Sequence, residues 1–152
     1  MNMSKKILFL YGTETGNSEL LAMDAEKLAK ENQFDVTING MDEIGLEDIP
    51  EHKNVIIFCS TWGDGEQPDN AVDLYEATVD SEDNSLEGIN FAVLALGDTA
   101  FDLFCEAGIQ WDETFEAKGG NRINNRIDCD TDYEDEAEQW IEETIAKFVE
   151  IE

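Results

Sequence analysis

The amino-acid sequence predicts an α/β protein built on a doubly wound parallel sheet of five strands. Short, nearly continuous apolar segments, typical of strands buried on both faces, recur along the chain. Between them lie segments whose apolar residues recur with the period of an α-helix. This alternation favours a parallel sheet covered by helices on both faces. With 152 residues, the chain is expected to form one domain, residues 1–152.

The first strand is expected at residues 6–11, which read KILFLY, and the first helix at residues 18–31. Leu21, Ala25 and Leu28 share one face of that helix. The other segments follow in alternation: strands at 34–39, 54–60, 90–96 and, with a polar sequence, 121–129; helices at 70–79, after residue 104 and at 133–149.

The chain carries a formal charge of -28, from nine lysines and arginines against 37 aspartates and glutamates. A field of this sign repels nucleic acid and anionic membranes, so neither is expected as a partner. It favours a basic protein partner, but acidity that serves only solubility or adaptation to salt has the same composition. The apolar runs are too short to span a bilayer and no secretion signal is present, so a cytoplasmic protein is expected.

The other reactive residue types indicate neither catalysis nor metal binding. Cys59, Cys105 and Cys129 lack the spacing of a zinc site, and their odd number does not suggest a disulfide framework. Buried free thiols are therefore expected. His52, the single histidine, lies away from the loops that follow the buried strands, so no histidine-based nucleophile is expected. Trp111 and Trp140 lie on apolar helix faces and are expected in the core.

The loop after the first strand, GTETGNSE, is rich in hydroxyl groups and has no lysine or arginine. It lacks both glycine-rich nucleotide fingerprints, G-x-G-x-x-G and G-x-x-x-x-G-K-[ST]. The hydroxyls of Thr13, Thr15 and Ser18 precede or begin a helix, where backbone N–H groups converge. They suit one phosphate monoester, neutralised by dipoles rather than by a cation. An ordinary helix N-cap with turn glycines explains the same residues equally well.

Two more loops follow buried strands and should reach the same edge of the sheet, where doubly wound proteins bind ligands. The loop STWGDGEQPDN places Trp62 at a strand end beside two glycines. The loop LGDTAFDLFCEAG places Phe101 three residues after Asp98. A flat ring could stack between the two aromatic side chains. Alternatively, Trp62 packs under a loop and Phe101 fills the core.

Taken together, the three loops resemble the FMN-binding loops of the flavodoxin family. TETGNS resembles the phosphate loop, STWGDG the loop on the inner face of the flavin, and LGDTAFDLFC the loop on its outer face. The resemblance covers nearly the whole chain. It implies strand order 2-1-3-4-5, noncovalently bound FMN, no metal and no catalytic residue. The cofactor-binding residues that it implies are Thr13, Glu14, Thr15, Gly16, Asn17 and Ser18 for the phosphate, Ser60, Thr61, Trp62, Gly63, Asp64 and Gly65 for the inner face, and Leu96, Gly97, Asp98, Phe101 and Cys105 for the outer loop.

The resemblance implies a monomeric one-electron carrier rather than an enzyme. Negative side chains would surround the flavin and make its second reduction potential low: Asp64, Glu66, Asp69, Asp98 and Asp102. The partners of the carrier would be basic redox proteins, a reductase as donor and an oxidase or reductase as acceptor. The lack of a long insertion in the fifth strand resembles the short-chain flavodoxins, whereas the first two loops are also similar to the FMN domains of diflavin reductases. Two alternatives are an FMN-dependent NAD(P)H or quinone reductase and a phospho-acceptor receiver domain. A receiver domain would need aspartates at the end of the first strand and after the third, and this sequence has other residues at both places.

Overall fold

A parallel sheet forms the centre of the computed structural model, which describes residues 5–13, 16–62, 65–100 and 102–151. The strands are β1 (Lys5–Gly12), β2 (Phe34–Gly40), β3 (Asn54–Ser60), β4 (Asn90–Leu96), β5 (Asn121–Arg122) and β6 (Ile127–Cys129). The α-helices are α1 (Asn17–Glu31), α2 (Val72–Asp80), α3 (Glu106–Ala117) and α4 (Glu134–Glu150), and a short 3₁₀ helix spans Leu46–Glu51. The order β2-β1-β3-β4-β5, with parallel pairing throughout, confirms the predicted fold class.

Alternate residues of the buried strands pack into two separate cores, one on each face of the sheet. In β1, Ile7 and Phe9 join the core on one face and Leu8 and Leu10 the core on the other, because successive side chains of a strand point in opposite directions. Helices α1 and α4 cover the first core, and the 3₁₀ helix, α2 and α3 cover the second. Burial on both faces explains why these strands are continuous apolar runs.

The helices agree with the sequence-based expectations, with small differences at their ends. Helix α2 begins at Val72 rather than at residue 70, and α3 begins at Glu106, so Phe104 precedes it. Trp111 is fully buried and Trp140 nearly so, which confirms their predicted place in the core. The cysteines are buried and form no disulfide, as expected. None of the described helices has both the length and the apolar composition that a membrane span needs.

The predicted fifth strand, residues 121–129, is interrupted. Strands β5 and β6 are two short pieces that each pair with β4. Between them, the carbonyl of Asn125 accepts a hydrogen bond from the indole N–H of Trp140 (2.8 Å), and the side-chain amide of Asn124 donates to the hydroxyl of Thr144 (2.9 Å). The strand breaks at this point because these polar groups find their partners on α4 instead of in the sheet.

Asp112 binds both arginines of the chain beside this interrupted strand. Nε of Arg122 and Nη1 of Arg126 each lie 2.9 Å from a different carboxylate oxygen of Asp112, which is only 4% exposed. Nε of Arg126 also lies 2.7 Å from Asp128 in β6. Hydrogen bonding to Asp112 raises the pKa of Arg122 above its ordinary value, so the guanidinium stays charged. The cluster therefore holds α3 against both pieces of the fifth strand.

We expect the substitution Asp112→Asn to lower the free energy of unfolding by about 2 to 3 kcal/mol, because it leaves two partly buried guanidinium groups without their shared carboxylate. Urea unfolding measures the change. Glu116→Gln is the matched control, since Glu116 also binds Arg122 (2.8 Å) but its side chain is 61% exposed. The control should lose less than about 1 kcal/mol. Equal losses in the two variants would contradict a special contribution of the buried carboxylate.

Candidate cofactor site

Three loops meet at the carboxyl edge of the sheet. Strand β1 lies between β2 and β3, so the chain crosses from one side of β1 to the other after β2. The crevice at such a crossing is where doubly wound sheets bind ligands. We call residues 13–16 the first loop, residues 61–71 the second loop and residues 97–105 the third loop. They follow β1, β3 and β4, the strands from which the sequence predicts the site.

Five of the expected cofactor-binding residues lie outside the described residues: Glu14, Thr15, Gly63, Asp64 and Phe101. Their expected roles, and the expected stacking of a ring between Trp62 and Phe101, therefore stay predictions. The described residues on either side of them define the ends of all three loops.

The first loop turns tightly into α1. Gly16 has a φ of +92°, a left-handed conformation that residues with a Cβ rarely adopt. Its N–H donates to the hydroxyl oxygen of Thr13 (2.8 Å). Because that oxygen accepts, the hydroxyl proton of Thr13 stays available for a phosphate oxygen. Asn17 is exposed at the start of α1, where the first-turn N–H groups and the positive end of the helix dipole favour an anion.

Side-chain hydrogen bonds join the first loop to β3 and to the second loop. Ser18 is fully buried, and its hydroxyl lies 2.8 Å from that of Ser60. Oδ1 of Asn70 accepts from the N–H of Thr13 (2.8 Å), and Nδ2 of Asn70 donates to the carbonyl of Tyr11 (3.2 Å). Asn70 thus binds the backbone at the point where the chain leaves β1. The sequence does not predict this role, since the two contacts join residues more than fifty positions apart.

The second loop presents an aromatic surface at the edge of the crevice. Trp62 is 49% exposed, which argues against the alternative that it packs under a loop. The backbone N–H of Trp62 donates to the carbonyl of Glu66 (2.8 Å), and the N–H of Glu66 donates back (2.7 Å). Gly65 closes this turn with a φ of +106°. A Cβ on Gly65 would lie 2.6 Å from Cδ1 of Leu103, so the second loop packs closely against the third.

Gln67 and Thr61 fasten the second loop to the rest of the fold. Oε1 of Gln67 accepts from the indole N–H of Trp111 (2.9 Å), and Nε2 of Gln67 donates to the carbonyl of Ala107 (3.1 Å). The hydroxyl oxygen of Thr61 accepts from the N–H of Ala107 (3.1 Å), and the N–H of Thr61 donates to the carbonyl of Leu96 (2.9 Å). A loop side chain is therefore the hydrogen-bond partner of a core tryptophan, which couples the position of the loop to the packing of the core.

Two carboxylates accept hydrogen bonds from the start of the third loop. Oδ1 of Asp98 accepts from the N–H of Ala100 (2.8 Å), which forms a local turn. The hydroxyl of Thr99 donates to Oδ2 of Asp130 (2.7 Å) beyond β6, and this hydrogen bond lowers the pKa of Asp130. The carboxylate of Asp98, one of the cofactor-binding residues expected in this loop, thus accepts a hydrogen bond from the backbone of its own loop.

Cys105 ends the third loop in a left-handed conformation, with a φ of +58° that is uncommon for a residue with a side chain. A Cβ on Gly97 would lie 2.7 Å from the backbone nitrogen of Cys105, so the two ends of the loop are in contact. Leu96, just before Gly97, is almost fully buried, and Cys105 is completely buried. Gly97 therefore allows the loop to close on itself.

The three thiols are kept protonated by their surroundings. Burial raises the pKa of Cys105 and of Cys129 to about 12, and it also raises the pKa of Cys59. The thiol of Cys105 points to the carbonyl of Cys129, with 3.6 Å between sulfur and oxygen. Because the thiolate is the reactive form, these cysteines are inert near neutral pH.

The site has no cationic side chain in its own loops. None of the three loops contains a lysine or arginine, and both arginines bind Asp112. A phosphate at this edge would be neutralised by N–H groups, hydroxyls and the helix dipole. The left-handed turn, the start of α1 and the exposed Trp62 fit a group with one phosphate and a flat ring. Among the described residues, no cluster of histidine, cysteine, aspartate or glutamate is placed to hold a metal ion.

A turn suited to a phosphate and an exposed tryptophan, both at the crevice of a doubly wound sheet, are typical of a mononucleotide-binding α/β protein. Residues 9–141 match the flavodoxin family, and the chain belongs to that family. Its cofactor is FMN, as the three loops predict, and it is an electron-transfer module.

Known relatives support this assignment. The chain is 39% identical over 140 residues to the sulfite reductase [NADPH] flavoprotein alpha-component of Bacillus subtilis (strain 168). The matched residues are 92% of this chain and 23% of that protein. The chain thus spans about a quarter of the length of that relative. Among solved structures, a flavodoxin of Streptococcus pneumoniae TIGR4 is 27% identical with a TM-score of 0.84, covering 93% of this chain and 96% of that one. Oxidised flavodoxin 2 from Bacillus cereus is 29% identical with a TM-score of 0.81, covering 95% and 98%.

We expect Asn70→Ala to weaken FMN binding about tenfold or more, because the backbone N–H of Thr13 and the carbonyl of Tyr11 each lose a partner worth about 1 kcal/mol. Quenching of FMN fluorescence on titration with apoprotein measures the affinity. The matched control is Asn32→Ala, which removes an exposed side-chain hydrogen bond at the far end of α1. The control should bind FMN normally, and unchanged affinity in Asn70→Ala would refute the role assigned to Asn70.

We expect the free energy of unfolding to fall as the pH rises from about 9 to about 12. Burial raises the pKa of Cys129 in the folded protein to about 12, whereas an unfolded thiol ionises near its ordinary value of about 9. Below that value both states keep the proton, and the stabilisation is complete; above it the unfolded state loses the proton first. Urea unfolding at a series of alkaline pH values measures the slope, which should be shallower in Cys129→Ala. Identical slopes in the two proteins would contradict the expectation.

Proposed function

We propose that this protein is a one-electron carrier that binds FMN noncovalently and passes electrons between redox proteins without catalysing a reaction of its own. The observation that carries the proposal is the half-exposed Trp62 beside the phosphate-type turn of Gly16, at the crossing point of the sheet. Bound FMN supplies reversible one-electron and two-electron redox chemistry. The chain, acting as a single FMN-binding unit, supplies binding, orientation and an accessible edge.

The proposal assigns the phosphate to the first loop and the start of α1. Thr13 offers its hydroxyl proton, Gly16 permits the turn, and Asn17 stands at the positive end of the helix. Ser18 helps to hold this turn in place because its hydroxyl is hydrogen-bonded to that of Ser60 in β3. Glu14 and Thr15, between these residues in sequence, complete the proposed phosphate seat.

The ring is assigned to the space between the second and third loops. Its inner face would lie on Trp62, with Ser60, Thr61, Gly63, Asp64 and Gly65 around it. Its outer side would meet Phe101, with Leu96, Gly97, Asp98 and Cys105 forming the base of that loop. The contact between Gly65 and Leu103 supports a narrow slot, since it fixes the distance between the two loops.

The charge of the chain supports two further parts of the proposal. Negative side chains near the ring disfavour an added electron, so we propose a low reduction potential. A net charge of -28 favours basic donor and acceptor proteins and an association rate that falls with ionic strength. A monomeric state and a cytoplasmic location, both expected from the sequence, stay predictions.

A second candidate follows from the 39% identity to a sulfite reductase flavoprotein component. In this candidate function the chain is the FMN module that delivers electrons to a sulfite-reducing partner. Both candidates use the same crevice, and they differ in whether the partner is one dedicated enzyme or several soluble proteins. The alternative of an FMN-dependent NAD(P)H or quinone reductase needs a nicotinamide or quinone to reach the ring.

The function is tested by an anaerobic stepwise titration of the FMN-loaded protein with dithionite, followed by absorbance and potential. A carrier should take up two electrons in two resolved one-electron steps, with the second potential below that of free FMN. If FMN does not bind to the protein, the assignment of the cofactor site is wrong. A single two-electron step, together with rapid oxidation of NAD(P)H in the presence of a quinone, would establish the reductase instead.

A further inference from the structure

A groove separates α1 from α4 on the face of the sheet that these two helices cover. Its volume is about 590 Å³, within the range of sites that hold ligands or peptide side chains. Its floor is apolar: Leu21, Ala25 and Ile141 are nearly buried, Leu28 is partly exposed, and Tyr133 lies at one end. Leu20, on the lip, is 59% exposed. Leu20 and the partly exposed Leu28 thus leave apolar surface beside this groove on a highly charged protein, where a partner can cover it.

Carboxylates surround this floor on both helices. The groove is lined by Asp24 and Glu31 of α1 and by Glu134, Glu138 and Glu142 of α4, all exposed. Lys27 is the single cation among the described residues that line it. The three glutamates recur every four residues, so they form a stripe along α4. Like charges at this spacing destabilise a helix, and a cationic partner would relieve that repulsion.

We propose that the groove between α1 and α4 binds a basic amphipathic helix of a partner protein. The apolar side chains of that helix would enter the floor, and its lysines or arginines would face the acidic rim. The groove extends along α1 from Leu20 to Glu31, which corresponds to about three helical turns, or roughly 18 Å. A partner helix of that length can present apolar residues at positions i, i+4 and i+7, which is the spacing of Leu21, Ala25 and Leu28 in the floor.

The charge of the rim selects this occupant over others. A second copy of the chain would bring the same negative charge to the rim, and a membrane with anionic headgroups or a nucleic acid would be repelled in the same way. The groove also lies on the flank of the sheet, whereas the cofactor crevice lies at the ends of its strands. Binding in the groove therefore needs no FMN and goes beyond the carrier function.

The probe is a capped synthetic peptide of about 14 residues, with leucine at helical spacing and lysine on the opposite face. Its Kd is measured by fluorescence anisotropy with both FMN-loaded and FMN-free protein, and its position by amide chemical-shift changes. We expect the shifts to cluster on the facing sides of α1 and α4. A peptide of the same composition, with its leucines spread over all faces, should bind at least about tenfold more weakly, because it cannot fill the floor.

Two variants with equal loss of charge separate the groove from the net charge of the chain. Glu134→Gln, Glu138→Gln and Glu142→Gln together remove the stripe on α4. Glu51→Gln, Glu76→Gln and Glu82→Gln together remove three exposed glutamates in the 3₁₀ helix, in α2 and just after α2, on the opposite face. The first variant should weaken the Kd about tenfold, and the second less than about twofold.

Several outcomes would overturn the proposal. Equal weakening in the two variants would mean that the peptide responds to net charge alone. Equal affinity for the two peptides would mean that the apolar floor is not used. Self-association of the wild-type protein, with concentration-dependent amide shifts on the facing sides of α1 and α4, would assign the groove to a second copy of the chain. The peptide is also tested on FMN-free protein, so failure of the groove proposal is distinguishable from failure of the carrier function.

Discussion

The covering of the parallel sheet on both faces is the constraint on which the rest of this structure depends. With helices packed against each face, the ends of the strands are where backbone and side chains remain accessible. The parallel direction of β1, β3 and β4 then brings the three following loops to the same edge. The crossing of the chain beside β1 opens a crevice between those loops. The position of the proposed cofactor site is therefore a consequence of how the core is buried.

Hydrogen bonds between distant segments give that edge its shape. Asn70 binds the backbone on either side of the end of β1, and Gln67 binds the indole N–H of Trp111 in the core. A buried polar group without a partner is costly, so folding of the core requires the second loop to be in place. The loops to which the cofactor is assigned are thus positioned by the same interactions that complete the core, which is how a binding site becomes preorganised.

The distribution of charge separates the interior from the surface. Both arginines are bound by Asp112, where they hold the interrupted fifth strand, and exposed carboxylates dominate the rim of the groove between α1 and α4. The second and third loops also carry exposed carboxylates, those of Glu66, Asp69 and Asp102, so negative charge lies both at the crevice and along the flank. Both would attract basic partners, but they differ in chemistry, since the crevice offers an aromatic edge and the groove an aliphatic floor.

The sequence by itself determined the fold class, the first four strands and the four α-helices, and its resemblance to a known family gave the family and the cofactor. A strand buried on both faces, such as residues 54–60, is a continuous apolar run, and a helix buried on one face, such as α1, has apolar residues at the helical period. Both patterns are local, so they can be recognised in the sequence. The three loops were recognisable because their residues are close together in the chain. The strand order came from the family resemblance rather than from any pattern of spacing.

Only the tertiary structure decided which distant side chains meet. The bracing by Asn70 and Gln67, the link from Ser18 to Ser60 and the shared carboxylate of Asp112 join residues from different segments. The break in the fifth strand likewise depends on Trp140 of α4, far along the chain from the start of that strand. The groove arises from the packing of the first helix beside the last. Such contacts leave no periodic signal in the sequence, because they depend on the distances between elements in space.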